Sequence, residues 1–194
     1  MSRQPLLDAI AGYRDGLRRG SWRHDSYVEA EETAILEKFR VFIEATPDCF
    51  ERSSREGHIT GSALVVSSDL SEVLLTHHRK LDKWLQLGGH SDGSPATHEV
   101  AFREVEEESG LTRIAFVQAS PFDFDWHDIP ARQTEPAHIH YDVRFLISAD
   151  RAEPLTITDE SNDLRWFKVA DARRVTGERS MHRQFDKLDY LRAR

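Results

Sequence analysis

Two stretches carry most of the information in this chain: Gly88-Gly89-His90, and further along Arg103-Glu104-Val105-Glu106-Glu107-Glu108-Ser109-Gly110-Leu111. Between them, Ser94-Pro95 offers an N-cap followed by the residue best tolerated at the first helical position, and Gly110 offers a stop. The sequence therefore predicts a helix from Ser94-Pro95 to Gly110. At about 100° per residue, Ala101, Phe102 and Val105 share an apolar arc, while Glu104, Glu107 and Glu108 occupy a separate arc at spacings of three and four. Like charges at such spacings cost a helix about 0.2–0.5 kcal/mol per pair. Arg103 can pair with Glu107 or Glu99, but one guanidinium does not neutralise three carboxylates. A solvated acidic face would tolerate the repulsion; an oxygen-ligated divalent cation would offset it.

The same residues resemble the Nudix box, the signature of Nudix hydrolases. Its pattern is Gly, five residues, Glu, seven residues, Arg-Glu, an aliphatic, any residue, Glu-Glu, any residue, Gly, an aliphatic. Gly89, Arg103, Glu104, Val105, Glu107, Glu108, Gly110 and Leu111 match it in spacing, and Pro95 stands where the first Glu belongs. A strand before the helix is the context such a motif requires. The resemblance implies an α/β fold, a Nudix-like α/β/α sandwich with a mixed sheet over residues 57–194; an N-terminal helical extension over residues 1–50 lies outside it. It also implies a hydrolase that cleaves the diphosphate linkage of a nucleoside diphosphate joined to another moiety. Carried over by position, Glu104, Glu107 and Glu108 are metal ligands for Mg2+ or Mn2+, one of them also a candidate base. Arg103 orients them, and the Gly88 carbonyl completes the shell. Pro95 removes a peripheral carboxylate and leaves the number of metals open.

Outward from the box the texture is that of strands. Ile59 to Val66 and Glu72 to Thr76 are joined by Ser67-Ser68-Asp69-Leu70-Ser71 and read as a hairpin. Short strands are expected at Trp84 to Leu87 and Leu164 to Phe167, and a longer one at Ile114 to Phe124. Ala137 to Ser148 alternates, with Ile139, Tyr141, Val143, Phe145 and Ile147 on one face and His138, His140, Asp142 and Arg144 on the other. Ser180 to Ala193 reads as a closing helix. At the other end, Leu6, Leu7, Ile10, Tyr13 and Leu17 recur at helical spacing. After Asp25 and Ser26 so do Val28, Ile35, Phe39 and Phe42, up to Pro47. The stripes of these two helices need covering, either by the rest of the chain or by a second copy in a homodimer.

His90 beside Gly89 and the pair His138 and His140 raise a second possibility. Imidazoles at i and i+2 on a strand can share an ion, and they favour transition metals over magnesium; the alternatives are a substrate-facing role or the outward face of an ordinary strand. A histidine-rich metal site is also used by isopentenyl-diphosphate isomerases of the Nudix fold, so an isomerase-like enzyme is the alternative to a hydrolase. A non-catalytic nucleotide-binding regulator is the other alternative. Glu160, ahead of the Leu164 strand, is a candidate extra carboxylate at a metal or substrate. His77-His78-Arg79-Lys80 is either a phosphate contact or a solvated hairpin end, and Phe124 and Trp126 either stack on a base or fill the core.

Composition narrows the field. With 26 Lys and Arg against 34 Asp and Glu, the formal charge is -8, which lacks the basic footprint of a duplex nucleic-acid binder. A small phosphorylated substrate remains compatible, because bound cations reverse the local field. No apolar run approaches the ~20 residues that span a bilayer, so no membrane partner is expected. Asp8, Arg14 and Asp15 interrupt any signal-peptide core. The single cysteine, Cys49, permits no intrachain disulfide and reads as inert. A cytoplasmic location is the resulting expectation.

Overall fold

The computed structural model describes residues 2–20, 26–131 and 136–194. Two helices come first, α1 (Gln4–Arg18) and α2 (Ser26–Ala45); Asp25, part of the expected break between them, lies outside the described residues. A mixed sheet follows, made of β1 (Gly57–Ser67), β2 (Glu72–His78), β3 (Lys83–Leu85), β4 (Leu87–His90), β5 (Ile114–Phe116), β6 (Asp123–Ile129), β7 (His138–Ala149) and β8 (Ser161–Lys168). Helix α3 (Thr97–Ser109) lies between β4 and β5, and α4 (Val169–Val175) and α5 (Arg179–Arg192) close the chain.

The spine of the sheet is the parallel pair β1 and β7, in register from Gly57 opposite Ile139 to Ser67 opposite Ala149. All other pairings are antiparallel. Strand β1 takes β2 at Val65 and Val66 and β4 at Thr60 to Ala63 along its other edge. The free edge of β7 is likewise shared between β6 and β5. Each of the two long strands thus serves two short ones along its outer edge.

Helices cover both faces. On one, Ile59, Ala63, Val65, Phe124, Tyr141, Val143 and Phe145 pack with Ala101 and Val105 of α3 and with Phe39, Phe42 and Ile43 of α2. On the other, Leu64, Val66 and Leu146 meet Ala172 of α4 and Met181, Phe185 and Leu188 of α5. The stripe of α1, Leu6, Ile10, Tyr13 and Leu17, joins the first cluster, so the N-terminal helices share a core with the sheet. A buried ion network strengthens this junction: Lys187 pairs with Glu32 at 2.6 Å and with Asp123, and Arg183 with Asp123 at 2.8 Å.

Several expected boundaries move, each for a tertiary reason. The helix of the box begins at Thr97, because Ser94 is held in a turn by its own N–H donating to Ser91 O at 2.8 Å. Its end is as expected, with Gly110 in the left-handed conformation at φ 72°. The expected strand Trp84 to Leu87 divides between β3 and β4, whose partners differ. Ile114 to Phe124 likewise becomes β5 and the start of β6, interrupted around Pro121. Helix α4 was not expected. The polar side of β7 is not an outward face: His138, Asp142 and Arg144 are all buried between β1 and β6, and Arg144 shares Asp123 with Arg183 of α5.

Candidate active site

Helix α3 crosses β1 and β4, turning Val100, Ala101 and Val105 into the core and Glu104, Glu107 and Glu108 toward the end of β4. Its approach is close because β4 carries glycines there. A Cβ on Gly89 would overlap the Glu104 carboxylate, and one on Gly61 of β1 would meet the Thr97 carbonyl at 2.6 Å. The Gly88 N–H donates to the Glu108 carboxylate.

The three carboxylates differ in exposure. Glu104 and Glu108 are half-buried, and Glu107 is exposed. Arg103 donates to Glu104 at 2.9 Å, lies 3.8 Å from Glu107, and reaches the His90 carbonyl at 3.4 Å. The sequence-predicted orienting contact is therefore present. It leaves Glu108 without a counter-charge: burial, then the charge of Glu104, then those of Glu160 and Glu107, push its carboxyl up to about 8, against one opposing hydrogen bond from Gly88. Burial likewise raises Glu104, with Arg103 opposing and Glu107 and Glu160 adding to the rise. Glu160 is exposed in the turn before β8, near enough to act on both carboxylates.

The histidines of the sequence analysis also converge, and they bring two others with them. His58 stands opposite His140 in the β1–β7 register, and His127 stands opposite His140 in the β6–β7 register. The His58 ring lies 5.0 Å from His90, 4.9 Å from His138 and 4.7 Å from His140, centroid to centroid. His127 lies 5.4 Å from His140. Nothing in the local sequence around His58 or His127 marks them; only the cross-strand register does.

The remaining candidates have local partners. His77 stacks on Trp84 and bonds Asp82 at 2.9 Å, while Arg79 donates to Ser161 O at 3.2 Å, so this basic group is engaged at its own hairpin end. Phe124 is core, edge-on to Tyr13 and Phe39, and Trp126 carries the Lys38 ammonium on its face. Cys49 is buried, which pushes its thiol up to about 11 and away from nucleophilic use.

This geometry of glycine strand, crossing helix and converging carboxylates has relatives. The family model described as NUDIX domain matches residues 58–188, more than half of the chain. The chain belongs to the Nudix family, and is an enzyme of the pyrophosphohydrolase type. Among solved structures, a C. elegans Ap4A hydrolase binary complex is similar at a TM-score of 0.57 and 16% identity, over 70% of this chain and 97% of that one. A hydrolase of the NUDIX family from Clostridium perfringens reaches 0.53 at 24% identity, over 71% of this chain and 99% of its own. The E. coli dihydroneopterin triphosphate pyrophosphohydrolase reaches 0.51 at 17%, over 66% and 92%. At these identities the likeness is one of fold. Comparison with curated proteins returns no match. Among the described residues, no helix is long and apolar enough to cross a membrane.

Proposed function

We propose that the chain is a divalent-metal-dependent hydrolase of a small phosphorylated substrate, cleaving the diphosphate that links a nucleoside to another moiety. The observation that carries this reading is the uncompensated charge on α3. Three helix carboxylates and Glu160 face one another with a single guanidinium among them, and Glu108 is raised to about 8 by burial and by its neighbours. The donor set is all oxygen and anionic, which suits magnesium or manganese rather than softer ions. The room at Gly89 lets Glu104 lie against β4. Glu104, Glu107, Glu108 and the Gly88 carbonyl would hold the metal. Bound there, it would screen the phosphate charge and acidify water.

The chain's own groups have separate tasks. Arg103 holds Glu104 in place and ties α3 to β4 through the His90 carbonyl. Gly88 N–H holds Glu108, and a cation bound beside it would offset the neighbouring carboxylates and keep its carboxylate ionised. Water adds to one phosphorus, the bridging P–O bond breaks, and two phosphorylated products leave. The box reads only the diphosphate. Ap4A hydrolysis and dihydroneopterin triphosphate hydrolysis, the activities named for two structural relatives, therefore belong in the first screen. We assign residues 57–194 to the catalytic domain and residues 1–50 to a helical extension, an assignment supported by the span of the family match. A cytoplasmic location accords with the lone buried thiol.

The test is a screen of dinucleoside polyphosphates, nucleotide sugars, ADP-ribose, nucleoside triphosphates and dihydroneopterin triphosphate with Mg2+ and Mn2+. Release of two phosphorylated products that stops on chelation is expected. Turnover that persists undiminished after thorough chelation would overturn the reading, as would isomerisation of isopentenyl diphosphate without phosphate release.

A further inference from the structure

The imidazoles at the Gly57 end of the sheet form a second centre, chemically unlike the carboxylates of α3. His58 on β1 and His138 and His140 on β7 each offer a ring nitrogen, and these three atoms lie within 4.8 Å of one another. In a tetrahedral site with metal–nitrogen bonds of about 2.0–2.1 Å, ligand nitrogens stand about 3.3 Å apart. The Nε2 atoms of His138 and His140 are already 3.1 Å apart, close to that spacing. The scaffold beneath is stiff. His58 and His140 are direct partners in the parallel pair of β1 and β7, and that ladder runs the whole length of β1.

The surroundings match what a metal demands of histidine. His138 Nδ1 sits 2.9 Å from the Pro136 carbonyl. A proton on Nδ1 satisfies that contact and leaves the Nε2 lone pair directed at His140, as when a ligating imidazole donates its other N–H to a carbonyl. The neutral ring is the ligating form of each imidazole. His90 and His127 flank the three, and His140 and His90 are only half-buried, so the cluster is open on one side.

We propose that His58, His138 and His140 form a three-imidazole site for a zinc-class divalent cation, with an open coordination position flanked by His90. Three neutral nitrogen donors favour zinc over magnesium, the reverse of the preference of an all-carboxylate set. The two centres lie on opposite faces of β4, where Gly89 faces Glu104 and the next residue, His90, faces His58. The site requires no part of the hydrolase reading, and its test is independent of turnover.

The experiment uses the full chain, stripped of metal, held in excess Mg2+ to fill the carboxylates, and titrated with Zn2+ by calorimetry and with Co2+ by visible absorption. One equivalent of Zn2+ is expected. Its affinity should fall in His58→Asn and in His140→Asn by more than the ~10–100-fold typical of losing an outer partner, and stay within about threefold in Glu104→Gln and Glu108→Gln. Circular dichroism checks that the histidine variants fold. If they do not, X-ray absorption of the zinc-loaded wild type decides, with nitrogen scatterers at about 2.0–2.1 Å showing imidazole multiple scattering expected. Absence of binding above the Mg2+ background, loss of zinc in the glutamate variants alone, or an all-oxygen shell would each overturn the proposal.

Discussion

Glu108 and Asp123 are both carboxylates drawn out of water, yet their surroundings treat them in opposite ways. Burial would raise both. At Asp123 the guanidiniums of Arg183 and Arg144 and the ammonium of Lys187 outweigh it, and the carboxyl is held well below the usual range. At Glu108 the neighbours are Glu104, Glu160 and Glu107, which push it further up, to about 8. The Asp123 network is complete as folded: it ties α2, β6, β7 and α5 through buried pairs. The α3 cluster is complete only with an added cation. Identical side-chain chemistry is thus structural where counter-charges come from the chain, and functional where they must come from outside.

The largest expected effect tests the structural half of that contrast. Asp123→Asn removes the anion that Arg183, Arg144 and Lys187 share, leaving Glu32 and Asp125 to face three buried cations, and should cost about 3–5 kcal/mol, read from urea unfolding. Glu108→Gln, in the same measurement, should leave stability unchanged or raised. Equal losses in both would erase the distinction. The stability difference between wild type and Asp123→Asn should also depend on pH. A carboxylate whose folded pKa is depressed contributes fully above its unfolded value, about 3.9, and loses that contribution as pH falls toward the folded value. The difference should be flat from pH 7 to about 5 and shrink below about 4. A difference that persists unchanged to pH 2 would mean the ion pairs are not its source.

The functional half is tested by turnover. Glu107→Gln and Glu108→Gln should each cut kcat at least ~100-fold, about 2.7 kcal/mol in the barrier, with circular dichroism unaltered. Wild-type rates in both would return α3 to an ordinary solvated helix. The smallest effect is expected at the exposed rim of the Asp123 network, where Arg179 bonds Glu31 at 2.6 Å. Arg179→Ala should cost no more than about 1 kcal/mol, and a larger loss would mean that the rim shares the cooperativity of the buried pairs.

Much of this was legible before any coordinates. The periodicity of α1 and α2, the stop at Gly110, and the convergence of Glu104, Glu107 and Glu108 all follow from spacing along one element, where 3.6 residues per turn settles who faces whom. The alternation of β7 was also legible, but its meaning was not. Sequence marks His138, His140, Asp142 and Arg144 as one polar face; it takes β6, β1 and α5 to make that face interior, with Arg144 bonded to Asp123, Asp125 and Asp142. The split of Trp84 to Leu87 between two strands has the same origin, because β2 and β1 each claim part of it.

By itself, then, the sequence determined the helix that carries the carboxylates, the glycines that let it approach the sheet, and the family to which both belong, since those are patterns at short range along the chain. Only the tertiary structure decided that His58 and His127 stand opposite His140, and that Glu32 of an N-terminal helix shares Lys187 with Asp123. Such partners are set by strand register and helix docking across scores of residues. Register is decided by the whole buried face of a strand at once, and no window of sequence around either partner contains it.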